Sequence, residues 1–590
     1  MKKSRKTYKK STLLRLSSES LIVSSIAALS AFIVFLFRGG ALSFMTSTAE
    51  KIDKFFRKNV AGVIAEKLKL HEKVKMPAKN TVAAVTDKSK IFNFLDKLRK
   101  KSLNMPLRSV GVFLITFSVY SAAIFLLKRF YASFGVADIN DISASAIVFV
   151  CGFLLLCFGE KSVLAALGSG RIGGSLLAGC LGVNESSLVG DETEKKNHVG
   201  VMFLLGSLFG VSTLFVSPAA VLLCIFAFLI FVAVMNMPEF GLLLSLLCVS
   251  FVKTEYLSIL VFVSLVSFLI KCIRLKRNMR FGTADVLVLA FLVLLFLCAL
   301  GNDKNSDFAI ITFISVYFLT KNLICSGRLI FQSFNTLCLS AIFGSLLFLL
   351  KEFYGFIPIE NLDAAFKVLT NNTFKPDMLA LLITAMLPIS LSATVGCLGK
   401  RRAITALILS LICVFFTDSF LFYILVLVAI FVFIAVAFKA PAGALLGSII
   451  VFPPFIILFK DKLAGALTVK ENIKVPFTLF GVNASDYGAS GTFWSALARY
   501  GGIVSVIFFA LILLLIFQRV FSVRSETMIK HSSRRCGTVI ASAVVLLIDT
   551  FVFNPFSDVR AFIFFWFIFG LCGSAYTEFK KPQYYHNTED

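Results

Sequence analysis

Few residues in this sequence have chemical potential, and they fall into two groups. One is the polar stretch 460–499, where Lys460, Lys462, Lys470, Lys474 and Arg499 stand against Asp461, Glu471 and Asp486, with Tyr487, Phe493 and Trp494 among them. Cations hold phosphate oxygens by charge-assisted hydrogen bonds, and an aromatic face takes the apolar face of a sugar, so this mixture suits a lipid phosphate bearing a glycan. The same lysines and aromatics also suit plain anchoring at headgroup depth. The other group is acidic and lies in apolar surroundings: Asp285 in FGTAD, Asp418 in FFTDSF and Asp549 in VVLLIDTFVFNPFSDVR. A carboxylate in such a run is costly and points to function by default. For Asp549 the plainer alternative is an ion pair or hydrogen bond with Arg560 that fixes the last two helices. For Asp285 and Asp418 it is a helix cap.

Other chemistries find no residues to carry them. The chain has four histidines, His71, His198, His531 and His586, so the usual proton carrier can be followed residue by residue. No H-E-x-x-H or comparable ligand spacing occurs, and neither a Walker A nor a G-x-S-x-G pattern is present. The cysteines sit singly in apolar segments without a C-x-x-C pair and read as small hydrophobes. Neither a metal nor a cofactor is expected.

The elements that must position these groups follow from composition. The chain has 590 residues, 58% hydrophobic and 16% charged, including 66 Phe, with a mean hydropathy of +0.89. That excludes a water-soluble globular protein and leaves an all-α, polytopic helical membrane protein. A barrel would need short alternating segments, which are not seen. About sixteen apolar stretches are read as helices: 110–127, 142–159, 200–216, 219–234, 241–251, 257–270, 286–300, 308–323, 329–350, 378–398, 403–416, 420–438, 444–459, 501–517, 538–553 and 559–576. Several are short for a span of about twenty residues, so 14 to 16 transmembrane helices are expected. Turn signals at Ser217-Pro218, Met237-Pro238 and Pro441 separate neighbours.

Charge sets the orientation. With Arg108 inside, the cytoplasmic connections carry Lys271 to Arg280 with five basic residues, Lys400-Arg401-Arg402, and Arg519 to Arg535 with five more. This is the bias expected of short inner loops. The same alternation puts segments 301–307, 351–377 and 460–499 outside, both termini inside and all four histidines on the cytoplasmic side. Residues 1–107 form a basic region of their own. Between Arg38 and Arg108 there are 17 Lys or Arg against 6 acids, and the first ten residues hold six basic residues and no acid. This region, with 21–37 as a possible span and 52–70 as an interfacial helix, is expected to lie on the anionic inner leaflet. Residues 108–580 form the membrane domain and 581–590 a cytoplasmic tail. The net charge of +26 is thus largely topological. Aromatics do not interleave with the charges as a base-stacking platform requires, so nucleic acid is not expected.

Four places in this order of features resemble the O-antigen ligase and polymerase superfamily, in the form common in low-GC bacteria. They are GVMFLLGSLFGVSTLFVSPAAVLL with NMPEFGLLLSLLCVSFV and FGTADVLVL; NTFKPDMLALLITAMLPISLS; SGTFWSALARYGGIVSVIFFALILL; and IDTFVFNPFSDVRAFIFFWFIFGL, with Asp549, Asn554 and Arg560 in the family's order. Together they span roughly residues 200 to 577. The resemblance implies action at the outer face of the plasma membrane on undecaprenyl-diphosphate-linked glycan, with transfer to an acceptor sugar or lipid and release of the carrier.

The sequence departs from the family at the motifs. Where the family has Thr-x-Ser-Arg, this chain has Thr417-Asp418-Ser419-Phe420; where ligases carry His-Asn, it has Ser490-Gly491 or Gly491-Thr492. If the resemblance extends to activity, it implies a metal-independent transfer with Asp486 as base and Arg499 at the leaving diphosphate. Lys460, Lys474, Trp494, Arg560 and Asp549 would then bind substrate. The alternatives are an inactive member serving as a partner in envelope glycan assembly, and a lipid-linked oligosaccharide flippase. Internal repeats of the kind transporters carry are not evident.

Overall fold

The computed structural model describes residues 105–131, 139–157, 162–183, 199–274, 277, 279–280, 282–299, 306–354, 376–392, 400–417, 420–437, 441–458, 492–526 and 530–580, with a few single positions between 47 and 94. Nearly all of the basic amino-terminal region, Asp418, most of segments 351–377 and 460–499 and the tail lie outside the described residues, and so do Lys460, Lys474 and Asp486.

In chain order the helices are α1 (Leu107–Phe130), α2 (Ile139–Cys157), α3 (Val163–Ser169), α4 (Arg171–Leu177), α5 (Val199–Ser212), α6 (Pro218–Asn236), α7 (Pro238–Cys248), α8 (Thr254–Ile273) and α9 (Thr283–Ala299). They continue with α10 (Ser306–Leu323), α11 (Gly327–Tyr354), α12 (Pro376–Ser392), α13 (Lys400–Phe416), α14 (Phe420–Ala437), α15 (Pro441–Leu458), α16 (Phe493–Glu526), α17 (Lys530–Asp549) and α18 (Ala561–Lys580). A 3-10 turn, Pro555–Ser557, precedes α18, and the described residues contain no named strand. The chain is an all-α, multi-pass membrane protein. Each of the sixteen apolar stretches coincides with a helix. Among the described residues six helices are long and apolar enough to cross a membrane, α1, α2, α6, α8 and most of α11 and α16, while others are shorter apolar helices of 10–17 residues. The proline turn signals act as helix starts. Pro218 and Pro238 occupy first-turn positions, where the missing N–H would have had no partner.

Two helices form the centre. Every residue from Met378 to Ser390 of α12 is buried, as is every residue from Ala561 to Cys572 of α18. Both are apolar all round, as a helix enclosed by other helices must be. α12 packs on α11, α13, α14 and α17, and α18 on α10, α16 and α17. At the edge, α1, α2 and α5 form a bundle that touches the rest chiefly through α6. In α2 only Ser145 and Gly152 are buried, which leaves its apolar surface to lipid. A Cβ on Gly111 would lie 2.8 Å from Gly152 O, so the α1–α2 approach depends on these two glycines.

Contacts between chain-distant helix ends sort into two sets. One end of the bundle joins Arg560 to Val252, Phe493 to Thr550, and Phe353 to Phe416. The other joins Lys271 to Asn236, Arg277 to Glu239, Lys321 to Asp285, Arg328 to Val183 and Arg402 to Ser175.

The second end also holds a segment that the sequence reading missed. Helices α3 and α4 and the turn to Val183 lie against α11 and α13. The carbonyls of this turn are met one by one: Ala178 O by Gln332 Nε2 at 2.6 Å, Gly179 O by Asn335 Nδ2 at 3.1 Å, Cys180 O by Thr336 Oγ1 at 2.7 Å and Val183 O by Arg328 Nη2 at 2.9 Å. Arg402 spans Ser175 O at 3.0 Å and Cys180 Sγ at 2.9 Å. Cys180 and Leu181 are buried, and irregular backbone survives there because side chains supply the donors that water would have given.

Candidate functional site at the Arg560 end

The turn between α17 and α18 is built by local hydrogen bonds. As α17 ends, Phe553 N donates to Asp549 O at 2.7 Å. Asn554 Oδ1 then accepts from Phe556 N at 3.1 Å, a side-chain cap that starts the 3-10 turn. The start of α16 docks on this turn. Phe493 N donates to Thr550 O and Phe553 O, each at 3.2 Å, and Trp494 Nε1 donates to Thr550 Oγ1 at 3.0 Å, across 56 residues of chain. Aromatic contacts hold the two together. Phe493 stacks on Phe556 with ring centroids 5.8 Å apart, Trp494 on Phe551 at 5.6 Å, and Tyr500 contacts Phe556 at 5.8 Å.

α16 breaks just beyond. Gly502 has φ 71° and ψ −175°, a conformation open to glycine. Ser505 Oγ at the break lies 2.9 Å from Leu497 O and 2.7 Å from Gly502 O. The expected span start at 501 thus coincides with a real boundary. A short first piece carrying Trp494 and Arg499 precedes the long span.

The charges of the turn are arranged differently from the Asp549–Arg560 contact, the plainer alternative for Asp549. Arg560 is buried and grips Asp558: Nε donates to Oδ1 at 2.9 Å and Nη2 to Oδ2 at 2.5 Å, while Nη1 reaches Val252 O at 3.4 Å. This is a two-point guanidinium–carboxylate pair. Asp549 is fully buried one helix away, with Oδ2 2.6 Å from Thr384 Oγ1 of α12. That link between the last two helices is therefore replaced by two separate ones, because Asp558 lies only two residues from Arg560 and wins its guanidinium. The Arg499 side chain is half-buried and makes no hydrogen bond or ion pair with any described residue.

Of the sequence-predicted residues, Trp494, Arg499, Asp549 and Arg560 are carried by two segments that dock at this end. Thr384, Thr550, Val252 and Asp558 were missed. Only Asp558 left a readable signal, a carboxylate two residues before an arginine in a turn.

The opposite end has its own buried charges. Asp285 Oδ2 accepts from Gly282 N at 2.5 Å and pairs with Lys321; the first contact is the cap read from FGTAD, and the second was not foreseen. Arg280 N donates to Asn322 Oδ1 at 2.7 Å, and Ser574 Oγ donates to Ile324 O, so α9, α10 and α18 close on one another there. Among the described residues no three His, Cys, Asp or Glu side chains cluster as metal ligands. No family model, curated protein or solved structure matches the chain.

Proposed function

We propose that this multi-pass membrane protein is an O-antigen ligase-like glycan ligase or polymerase in cell-surface polysaccharide synthesis. It acts at the outer face of the plasma membrane on undecaprenyl-diphosphate-linked oligosaccharide. The observation that supports this reading is the docking of Phe493 and Trp494 on the 550–560 turn, which brings Trp494, Arg499 and Arg560 to one end of the bundle. In the proposed reaction an acceptor hydroxyl oxygen attacks the anomeric carbon, the carbon–oxygen bond to the diphosphate breaks, and the hydroxyl proton passes to Asp486. Arg499, with no described partner, takes the leaving diphosphate. Lys460 and Lys474 draw the anionic substrate in, and Trp494 stacks on a sugar ring.

The test is release of undecaprenyl diphosphate by purified protein in vesicles supplied with lipid-linked oligosaccharide. Arg499→Ala is expected to lower turnover on the order of a hundredfold or more, the scale of a lost donor to developing charge. Because Arg499 has no described partner, the variant should keep the thermal stability of the parent. Turnover equal to the parent's would reject the assignment.

Orientation rests on the basic connections at 271–280, 400–402 and 519–535. A cysteine placed at Phe480 should react with an impermeant maleimide from outside intact cells, and one at Thr527 only after lysis. The reverse pattern inverts the topology.

A second reading is favoured by the Arg560–Asp558 pair, which leaves the turn without an open guanidinium. In it the chain is an assembly partner of the same glycan machinery without catalysis, and the parent protein would show no transfer in the same vesicles.

A further inference from the structure

The end of α17 gathers oxygen atoms without enough protons to serve them. Asp549 is fully buried; its Oδ2 lies 2.6 Å from Thr384 Oγ1, and Oδ1 meets no hydrogen-bond donor among the described residues. The same Thr384 hydroxyl lies 2.9 Å from Ala380 O and 3.2 Å from Leu381 O. A threonine hydroxyl has one proton to give. Pro388 lies inside α12, and its missing N–H deprives the Thr384 carbonyl of its usual donor one turn on. Two carboxylate oxygens, the hydroxyl and the Ala380 and Leu381 carbonyls are therefore served by one hydroxyl proton, and one helical turn on the Thr384 carbonyl lacks its usual donor.

Among the described residues no cation pairs with Asp549. The ionisable side chains of the elements around it are Asp377 on α12, Tyr423 on α14, and Arg499 and Tyr500 on the first piece of α16. Arg519, Arg524 and Glu526 lie on the far part of α16, and Cys572, Tyr576, Glu578 and Lys580 toward the far end of α18. On α17 itself Lys530, His531, Arg534, Arg535 and Cys536 occupy the opposite end. In the turn, Arg560 is engaged with Asp558. Of those whose side chains are described, none is hydrogen-bonded to or paired with Asp549.

We propose that Asp549 and Thr384 form a binding site for a small monovalent cation, a proton or a sodium ion, whose uptake neutralises the carboxylate in the bundle interior. A proton on Oδ2 would be donated to Thr384 Oγ1, which then gives its own proton to Ala380 O, so that both protons find acceptors. A sodium ion would take the carboxylate oxygens of Asp549 and the Thr384 hydroxyl as oxygen ligands. Neutralising Asp549 removes one negative charge from the end that carries Arg499 and Arg560, which favours an anionic lipid there.

The test uses the full chain in detergent without substrate, so its failure leaves the glycan reading standing. Infrared difference spectra and thermal midpoints would be taken at neutral pH, in sodium chloride and in choline chloride. A proton site gives a carbonyl band of a neutral carboxylic acid that Asp549→Asn removes and Thr384→Val shifts. A sodium site gives a midpoint that rises with sodium and not choline, with the rise lost in Asp549→Asn and reduced in Thr384→Val. If Asp549→Asn fails to fold, the comparison of Thr384→Val with Thr384→Ser, which keeps the hydroxyl, carries the test. An ionised Asp549 in protein whose midpoint ignores sodium overturns the proposal.

Discussion

Lys321→Met is expected to destabilise the protein by about 3–5 kcal/mol, the usual cost of leaving one member of a buried ion pair uncompensated. Asp285 is fully enclosed and Lys321 nearly so, so solvent cannot take over the lost charge. The remaining contact to Gly282 N satisfies one lone pair of the carboxylate and none of its charge. The damage should spread, because Gly573 of α18 packs on the Lys321 stem and α10 is a principal neighbour of α18. Thermal unfolding in detergent measures the loss. The double variant Asp285→Asn/Lys321→Met should recover most of it, since replacing a buried pair whole is often nearly neutral. A single variant as stable as the parent would show that the pair contributes little.

Arg560→Ala should cost a similar amount, about 3–5 kcal/mol, by stranding Asp558. Asp558 and Arg560 are both almost fully buried, and the Arg560 side chain also ties the turn to Val252 O. Loss of turnover in this variant therefore says nothing by itself about diphosphate binding. The informative protein is Arg560→Ala/Asp558→Ala, which removes both charges. If stability and transfer return together, Arg560 is a positioning residue of the turn. If stability returns and transfer does not, the guanidinium meets substrate. Arg499 separates the two roles more cleanly, because no described residue depends on it.

Apolar runs made the helices legible, since length and hydropathy are one-dimensional quantities. Prolines marked α6 and α7 for reasons local to the backbone, and the apolar run starting at 501 coincides with the break at Gly502 in α16. What escaped was set by partners distant in the chain. Segment 163–183 is broken at Gly170 into two seven-residue helices, with Arg171 in mid-run; its turn is held by side chains of α11 and α13 that no local pattern announces. The candidate site was half legible. Trp494, Arg499, Asp549 and Arg560 stood out by residue type, but their pairing depended on which carboxylate reached the guanidinium first. Asp558 does so over two residues, whereas Asp549 meets Thr384, 165 residues away, which sequence spacing could not reveal.

The donors to the turn after α4 also set a schedule for synthesis. Gln332 and Ala178 are 154 residues apart, and Arg402 and Ser175 are 227 apart. At about 5–20 residues per second, a growing chain carries the Ser175 carbonyl for roughly ten to forty-five seconds before its arginine is made. Until then water, or another protein at the insertion site, must satisfy this stretch of backbone. The segment is therefore locked only once helices α11 and α13 have been made.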